Sequence, residues 1–297
     1  MDGINVLSLF DGMSCGRIAL ERAGIKVDNY FASEIDKHAI KVTQHNYPNT
    51  IQIGDVTKIS YKEGVLYTEN GIFEIGEVDL LIGGFPCQTL SLANRGGGNV
   101  EDGKSSLFFE MLRIIQEVSP KRFLAENVKM NTRSKELISE LLGVEDIKVN
   151  SSLVSIQNRE RLYWTNLVEK IEIEDRKILL KDLHCEDFDE NLILKGKGLN
   201  KLQRPRNRAI DINSDKTPTL MKSQEKLPTD SIVFKQGDIY RYPTIREAEL
   251  MQTVPIGYTN VEGVSYNNKM GMLGNGWTVD VIVEFFKPFI KEMLSRN

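Results

Sequence analysis

The sequence predicts an α/β fold with a doubly wound, mixed but mostly parallel sheet of the Rossmann-like type, together with a smaller second domain. Apolar runs of strand length alternate with segments of helical spacing between residues 4 and 125, which is typical of parallel sheets covered by helices. The run Val78 to Ile82 is apolar at all positions but Asp79 and ends at glycines, as a strand buried on both faces does. Regularity fades after about residue 165, which favours a separate module there.

The individual elements follow from apolar periodicity and from the turn residues at their ends. The chain begins with a strand at 4–10, a glycine turn at 11–16 and a helix at 17–23. Further strands are predicted at 27–34, 51–56, 78–83 and 122–125, and further helices at 37–46, 106–118 and 278–294. We therefore expect a first domain at 1–165, a smaller region at 166–264, and a segment at 265–297 that returns to the first domain.

Composition is that of an ordinary globular protein, with 40% hydrophobic and 27% charged residues in a chain of 297. The apolar run at 4–10 lacks a basic flank and is too short for a signal peptide or a membrane span. We therefore expect a cytoplasmic protein with no membrane partner. The three cysteines are widely spaced and form no CxxC or Cys/His pattern, which argues against a disulfide framework and a metal site.

Charge is distributed unevenly, although the net charge is only −4. A cationic run at 195–208 contains no acidic residue, and its cations are Lys195, Lys197, Lys201, Arg204, Arg206 and Arg208. A solvated loop would also be charged, but seldom with a single sign. The run therefore favours contact with a polyanion.

The turn after the first strand resembles a nucleoside site. Gly12 and Gly16 let the backbone pass close to a ligand at a helix N-terminus, and Glu34 can accept hydrogen bonds from ribose hydroxyls. The turn lacks the G-x-G-x-x-G fingerprint of dinucleotide sites, so a cofactor with one ribose and no phosphate is favoured. S-Adenosylmethionine fits this description. Asp55 can accept a hydrogen bond from an adenine amine, or it can be an ordinary turn aspartate.

Cys87 follows the strand at 78–83, at the edge of an open α/β sheet where ligands bind. Gly83 and Gly84 permit close backbone approach, and Pro86 stiffens the loop that carries the thiol. The alternative is a buried structural cysteine, since cysteine is among the most buried residue types.

Five landmarks follow one another along the chain: 85–88 (FPCQ), 126–128 (ENV), 157–161 (QNRER), 241–255 (RYPTIREAELMQTVP) and 274–279 (GNGWTV). In this order they resemble the cytosine-C5 DNA methyltransferase family. The resemblance leaves mainly 166–240 unmatched. The FDGxxxG spacing, the segment 107–110 (LFFE) and Trp277 are most similar to the branch that contains the animal de novo DNA methyltransferases. Size and the absence of extra domains are similar to a bacterial or phage stand-alone enzyme.

The resemblance implies a class I methyltransferase fold. It also implies methyl transfer from S-adenosylmethionine, leaving S-adenosylhomocysteine, to C5 of a flipped-out cytosine in double-stranded DNA through a covalent Cys87–C6 intermediate. The catalytic residues would be Cys87, Glu126, Arg159 and Arg161. The cofactor would contact Phe10, Asp11, Gly12, Ser14, Cys15, Gly16, Glu34, Ile35, Asp55, Val56, Gly83, Pro86, Leu107, Asn275, Gly276 and Trp277. The substrate would contact Gln88, Ser91, Asn127, Gln157, Lys201, Arg204 and Arg206.

By the same resemblance, the region 166–264 would recognise the target sequence, and it would include a hinge motif at 241–255. A cognate restriction endonuclease is a separate expected partner, which would act independently of this protein. The Q-x-R-x-R spacing predicts that Gln157, Arg159 and Arg161 share one strand face. The glycine run at 96–98 suits a mobile loop that closes on the flipped base.

Two alternatives remain open at this point: a tRNA cytosine-C5 methyltransferase with the same landmarks, and a nucleic-acid-binding relative that has lost catalysis. Some positions depart from the family pattern, namely Thr89 and Leu90 after Pro-Cys-Gln, and Gly276-Trp277 in the last landmark.

Overall fold

The computed structural model describes residues 3–86, 106–196, 209–222 and 232–295, together with residues 199 and 202. The chain divides into two compact units. The first unit comprises Met1–Val149, Glu160–Glu172 and Ile282–Asn297, and the second comprises Asn150–Arg159 and Ile173–Val281.

The strands of the first unit form two sheets. The seven-stranded sheet contains β1 (Ile4–Leu9), β2 (Val27–Ser33), β3 (Ile51–Gln52), β7 (Leu80–Gly84), β8 (Arg122–Val128), β9 (Asp146–Asn150) and β10 (Glu160–Thr165). Their order is β3-β2-β1-β7-β8-β10-β9. The strands from β3 to β8 run parallel to their neighbours, and β10 runs antiparallel to β8. A smaller antiparallel sheet contains β4 (Ser60–Lys62), β5 (Val65–Thr68) and β6 (Gly71–Glu74).

Four helices accompany the large sheet: α1 (Cys15–Arg22), α2 (Lys37–Asn46), α3 (Ser106–Val118) and α4 (Thr132–Leu142). Asp36 caps α2, because its side chain accepts from the amides of His38 and Ala39. The central strands are apolar on both faces, and their buried residues form the core with α3 and the ring of Trp164. Burial on both faces is what the continuous apolar runs predict.

The second unit contains a three-stranded sheet of β11 (Ile210–Asp211), β12 (Phe234–Gln236) and β13 (Ile239–Arg241), followed by α5 (Ile245–Met251) and α6 (Tyr266–Asn275). The last helix, α7, spans Val279–Ser295 and continues through Pro288. Its residues from Ile282 onward belong to the first unit. The Arg241 guanidinium binds the Glu247 carboxylate in a pair that is fully buried. Burial raises the pKa of Glu247, but hydrogen bonds and charge from Arg241 outweigh this effect and lower it overall.

The predicted α/β fold is confirmed, and the bounds of α2 and α3 match the prediction. Two strand predictions are wrong in detail. The strand predicted at 51–56 ends at Gln52, because Gly54 adopts a positive φ of 79° and the Asp55 side chain caps a 3-10 helix at Val56–Lys58. The strand predicted at 122–125 continues to Val128, because antiparallel pairing with β10 extends it.

No helix in the described part of the chain is both long and apolar enough to cross a membrane.

Candidate functional site

The carboxyl ends of β1, β7 and β8 meet at one edge of the large sheet. Leu9 lies opposite Gly83, and Gly84 lies opposite Glu126, in register. Ligands of open α/β sheets bind at this edge. The loops that follow these strands carry most of the site residues predicted for the first unit.

A glycine is required at position 83 because β1 and β7 approach closely there. A Cβ at Gly83 would lie 2.9 Å from the Leu9 carbonyl oxygen and 3.2 Å from the Met111 Cε. The backbone oxygen cannot yield as a flexible side chain would, so any larger residue would push the two strands apart. Packing within the sheet is therefore a sufficient reason for glycine at this position, and contact between Gly83 and the cofactor stays a prediction.

The backbone leading to the predicted nucleophile is fixed by contacts of Phe85. Its ring packs on Phe108 with 5.1 Å between centroids. Asn127 donates from Nδ2 to the Phe85 carbonyl oxygen at 3.1 Å. This hydrogen bond connects the end of β8 to the β7 loop one residue before Pro86, so Asn127 supports the loop toward Cys87.

Glu126 and Arg161 form an ion pair at the same edge. Arg161 Nε lies 3.0 Å from Glu126 Oε1, and the two side chains retain 12% and 10% of their exposure. The pair is therefore mostly withdrawn from water, yet each group keeps a surface that a ligand can reach. Antiparallel pairing places Val128 opposite Arg161 and Glu126 opposite Tyr163, so β10 delivers the cation beside the carboxylate.

The prediction that Gln157, Arg159 and Arg161 share one strand face is wrong. Only Arg161 lies in β10, which begins at Glu160. Gln157 makes an isolated bridge to Thr217, and Arg159 precedes the strand. Alternation of side chains holds only within a strand, so the three residues have different surroundings.

Arg159, a residue of the second unit, is buried and binds backbone carbonyls within that same unit. Its Nη1 donates to Leu220 O at 3.0 Å, and its Nη2 donates to Gly274 O at 3.2 Å and Gly276 O at 3.0 Å. These bonds hold the turn that carries Asn275 and Gly276. Such contacts support a positioning role for this guanidinium.

Gln252 was missed by the sequence reasoning, although it lies in the landmark at 241–255. Its Nε2 donates to Leu273 O at 2.6 Å and Gly276 O at 3.2 Å, and its Oε1 accepts from Gln157 and Thr278. A buried amide with four partners, one of which is Thr278, fixes the turn that precedes Trp277. The signal that could have found it is its place within the 241–255 landmark, directly after the end of α5 at Met251.

The loop after β1 has an unusual backbone. Phe10, Gly12 and Ser14 have positive φ values of 55°, 59° and 62°. The left-handed region suits glycine, but it costs a residue with a side chain about 1–3 kcal/mol. A Cβ at Gly12 would meet no atom within 4 Å, so open space adjoins the loop. The strain and the open space are both typical of a ligand-binding turn.

The Asp11 side chain accepts three hydrogen bonds beneath this loop. Ser8 donates to Oδ1 at 2.6 Å, Tyr30 donates to Oδ1 at 2.7 Å, and Ser14 donates to Oδ2. Burial raises the pKa of Asp11 to about 6, while the three donors act in the opposite direction. The group is therefore mainly ionised at neutral pH.

Glu34 and Ile35 adjoin the same loop. The Glu34 carboxylate accepts from the amide of Gly12 at 2.7 Å and from the amides of Ile35 and Asp36 at 2.8 Å. Ile35 is 74% exposed. An acceptor for hydroxyls beside an uncovered apolar side chain fits the ribose and base of a nucleoside.

The other predicted cofactor residues of the first unit lie in a turn or at the start of a helix. Asp55 accepts from the Thr57 amide at 2.9 Å and Val56 is buried. Cys15 and Gly16 are buried in the first turn of α1, and Leu107 is a partly buried residue packed against the core. Because Asp55 Oδ1 caps a 3-10 turn, its second oxygen is the one better placed for a ligand.

Six predicted residues fall outside the described part of the chain: Cys87, Gln88, Ser91, Lys201, Arg204 and Arg206. The glycine run at 96–98 also falls there. Among the described residues, no three His, Cys, Asp or Glu side chains are grouped so that they could hold a metal ion.

Comparison with known proteins identifies relatives. The family described as C-5 cytosine-specific DNA methylase matches residues 4–173. The chain is 30% identical over 273 residues to the orphan methyltransferase M.SPRI of Bacillus phage SPR, covering 80% of this chain and 59% of that protein. It is 38% identical over 169 residues to the type II methyltransferase M1.ScrFI of Lactococcus lactis subsp. cremoris, covering 53% of this chain and 40% of that protein. The chain thus spans about half the length of these curated relatives.

Two solved structures share the fold. The Dnmt2 methyltransferase of S. pombe superposes with a TM-score of 0.75 at 17% identity, covering 98% of this chain and 99% of that one. The Entamoeba histolytica methyltransferase EhMeth superposes with a TM-score of 0.78 at 17% identity, covering 99% of both chains. At such low identity the likeness concerns the fold alone.

Proposed function

Because the chain belongs to the C-5 cytosine-specific DNA methylase family, we propose that it transfers a methyl group from S-adenosylmethionine to C5 of cytosine in double-stranded DNA. The observation that carries this proposal is the Glu126–Arg161 pair of 3.0 Å, because Glu126 lies opposite Gly84, which precedes Cys87 by three residues in the sequence. A carboxyl and a guanidinium at this edge of the sheet match the charges that develop when a thiolate attacks cytosine.

The residues around the β1 loop suit S-adenosylmethionine. Glu34 would bind the ribose hydroxyls, Ile35 and Phe10 would cover the base, and Asp55 would accept from the adenine amine. Gly12 would allow the loop backbone to approach the cofactor, since no atom lies within 4 Å of a Cβ built there. When bound, the cofactor supplies an electrophilic methyl group. Asn275, Gly276 and Trp277 are proposed to complete its site.

Cys87 would start the reaction. Its thiolate adds to C6 of the cytosine and forms an S–C bond, which turns C5 into a carbon nucleophile. C5 would then take the methyl group, whose bond to the sulfonium sulfur breaks to leave S-adenosylhomocysteine. The C5 proton would leave to a base such as water, and elimination would break the S–C bond and regenerate the thiolate. Asn127 and Gly83 support this step by fixing the backbone before Pro86.

Glu126 and Arg161 would meet the negative charge that addition places on the ring. The Glu126 carboxyl would bind N3, and the Arg161 guanidinium would bind O2. Their mutual contact holds both groups in one geometry before substrate arrives, so little reorganisation is needed at the moment of reaction. Arg159 would act indirectly. Its hydrogen bonds to the Gly274 and Gly276 carbonyls would hold the turn that carries Asn275.

The attacking thiol must approach the ring face that stacking covers, so the base must leave the duplex. We propose that residues 1–165 bind the cofactor and catalyse the reaction, and that 166–264 recognise the target, with a hinge motif at 241–255. The segment 265–297 would return to the catalytic domain. Gln88, Ser91 and Gln157 are proposed to support the substrate. A separate restriction endonuclease that recognises the same site is a further proposal.

The direct test measures transfer of labelled methyl groups from S-adenosylmethionine to duplex DNA and, in parallel, to tRNA. We expect label in 5-methylcytosine of the DNA. Bisulfite sequencing of DNA from cells that express the protein would then identify the target site. Label found only in tRNA would replace the proposed substrate, and no label in either would refute the proposed activity.

The cations Lys201, Arg204 and Arg206 are proposed to bind DNA phosphates. Replacing all three by glutamine should weaken DNA binding and reduce the slope of log K against log salt by about 0.9 for each lost phosphate contact. The measurement is a salt titration of binding to a fluorescent duplex. The charge-matched control replaces three exposed lysines of the first unit by glutamine, namely Lys26, Lys37 and Lys41. An unchanged slope in the first variant would exclude the run from the phosphate contact.

A further inference from the structure

The side chains under the Phe10–Ser14 loop form a connected polar network that the proposed mechanism does not use. Ser8 and Tyr30 both donate to Asp11 Oδ1, and Ser14 donates to Asp11 Oδ2. Ser14 Oγ in turn lies 3.0 Å from Thr43 Oγ1. The network therefore joins β1, β2, α1 and α2 through one carboxylate.

The same carboxylate belongs to a loop whose backbone needs support. Phe10 and Ser14 occupy the left-handed region, with φ of 55° and 62°. Outside the network, the loop is held by three backbone amides. The Asp11 amide donates to Ser33 O at 3.0 Å, the Ser14 amide donates to Asp11 O at 3.1 Å, and the Gly12 amide donates to Glu34 Oε2 at 2.7 Å. A strained conformation persists only where its surroundings determine it, and Asp11 is the point at which they converge.

We propose that Tyr30 is a positioning residue for cofactor binding: its hydroxyl holds the Asp11 carboxylate and so keeps the loop in the conformation that receives S-adenosylmethionine. This inference rests on the proposed function. Tyr30 is buried in β2, three residues before Ser33, and its ring is covered by the Arg17 guanidinium at 5.2 Å. The tyrosine thus acts from beneath the loop.

The charges around Asp11 make the contribution of Tyr30 measurable. The pKa of Asp11 is raised to about 6, chiefly by burial and also by nearby Glu34, while donation by Ser14, Ser8 and Tyr30 acts in the opposite direction. Burial and the Asp11 charge raise the pKa of Tyr30 well above its ordinary value, so its hydroxyl remains a donor at any working pH. Loss of this donor therefore raises the pKa of Asp11 further, and the carboxylate takes up a proton at higher pH.

The test is the affinity of the full chain for S-adenosylmethionine, measured by calorimetry, for the wild type and Tyr30→Phe. We expect the dissociation constant and the KM for the cofactor to rise roughly tenfold, as fits the loss of one hydrogen bond to a charged group. We expect kcat at saturating cofactor to change less than about threefold, because the reacting groups are untouched. The acid-side loss of affinity should begin at higher pH in the variant than in the wild type.

Tyr47→Phe is the matched control. Its ring lies 5.5 Å from the same Arg17 guanidinium, and its hydroxyl donates to Glu21 Oε2 at 2.6 Å. The control removes the same atom from a neighbouring tyrosine without removing a donor from Asp11. We expect wild-type affinity and an unchanged pH profile.

Ser8→Ala is a second test in case Tyr30→Phe does not fold. It removes the other donor to Asp11 Oδ1, so we expect it also to raise the dissociation constant for the cofactor. Wild-type affinity in both variants would overturn the inference. So would an equal loss in Tyr30→Phe and Tyr47→Phe, which would indicate general destabilisation. A wild-type protein that binds no S-adenosylmethionine would instead refute the proposed function itself, and this inference with it.

Discussion

Replacing Cys87 by alanine should lower methyl transfer at least about 10⁴-fold, since removal of a covalent nucleophile leaves only binding and electrostatic contributions. Affinity for S-adenosylmethionine should stay near normal, because the loop after β1 and Glu34 form their contacts independently of the thiol. The measurement combines a labelled-methyl assay with calorimetry. Duplex DNA containing 5-fluorocytosine should in addition trap a denaturation-resistant adduct on the wild type but not on the variant.

Cys185→Ala is the control for this variant. Cys185 is a buried free cysteine whose Sγ lies 3.3 Å from Thr244 Oγ1, and it has no proposed part in the reaction. We expect it to retain activity and to form the adduct. An adduct that maps to a side chain other than Cys87, or full activity in Cys87→Ala, would contradict the proposed mechanism.

Glu126→Gln should lower kcat by about 10²- to 10⁴-fold, the range typical of an acid-base group. Glutamine keeps the size of the side chain and can still accept a hydrogen bond from Arg161, so the folded state should persist. What it loses is the ability to exchange a proton with N3 of the ring. Single-turnover rates should fall with little change in the affinity for DNA, and adduct formation with 5-fluorocytosine should slow in parallel.

Glu160→Gln is the matched control, because Glu160 lies one residue before Arg161 and carries the same charge. Its carboxylate is 3.5 Å from Lys129 Nζ and 3.5 Å from Lys148 Nζ, which are ion pairs of partly exposed groups and contribute little. We expect a kcat within about twofold of wild type. An equal loss of rate in both glutamine variants would mean that charge in general, and not the position of Glu126, governs the rate.

Several features of the fold could be predicted because their causes are local. Helices α2 and α3 have apolar residues at helical spacing, with a capping aspartate before the first. The buried strand at 80–84 is a continuous apolar run ended by glycine and proline. The small sheet at 60–74 was not predicted, since its strands are short and consist mainly of half-buried and exposed residues. Such strands give a weaker sequence pattern than a long buried strand.

The order of landmarks along the chain was sufficient to identify the family, because motif chemistry is encoded in residue type and spacing. The catalytic roles of Cys87, Glu126 and Arg161 stay predictions. Spacing could not distinguish Arg159 from Arg161. Only the tertiary structure placed one guanidinium on the Gly274 and Gly276 carbonyls and the other on the Glu126 carboxylate, since partners more than 30 residues apart in sequence leave no periodic signal. The Tyr30–Asp11 hydrogen bond is of the same kind: two adjacent parallel strands bring together groups that the sequence keeps 19 residues apart.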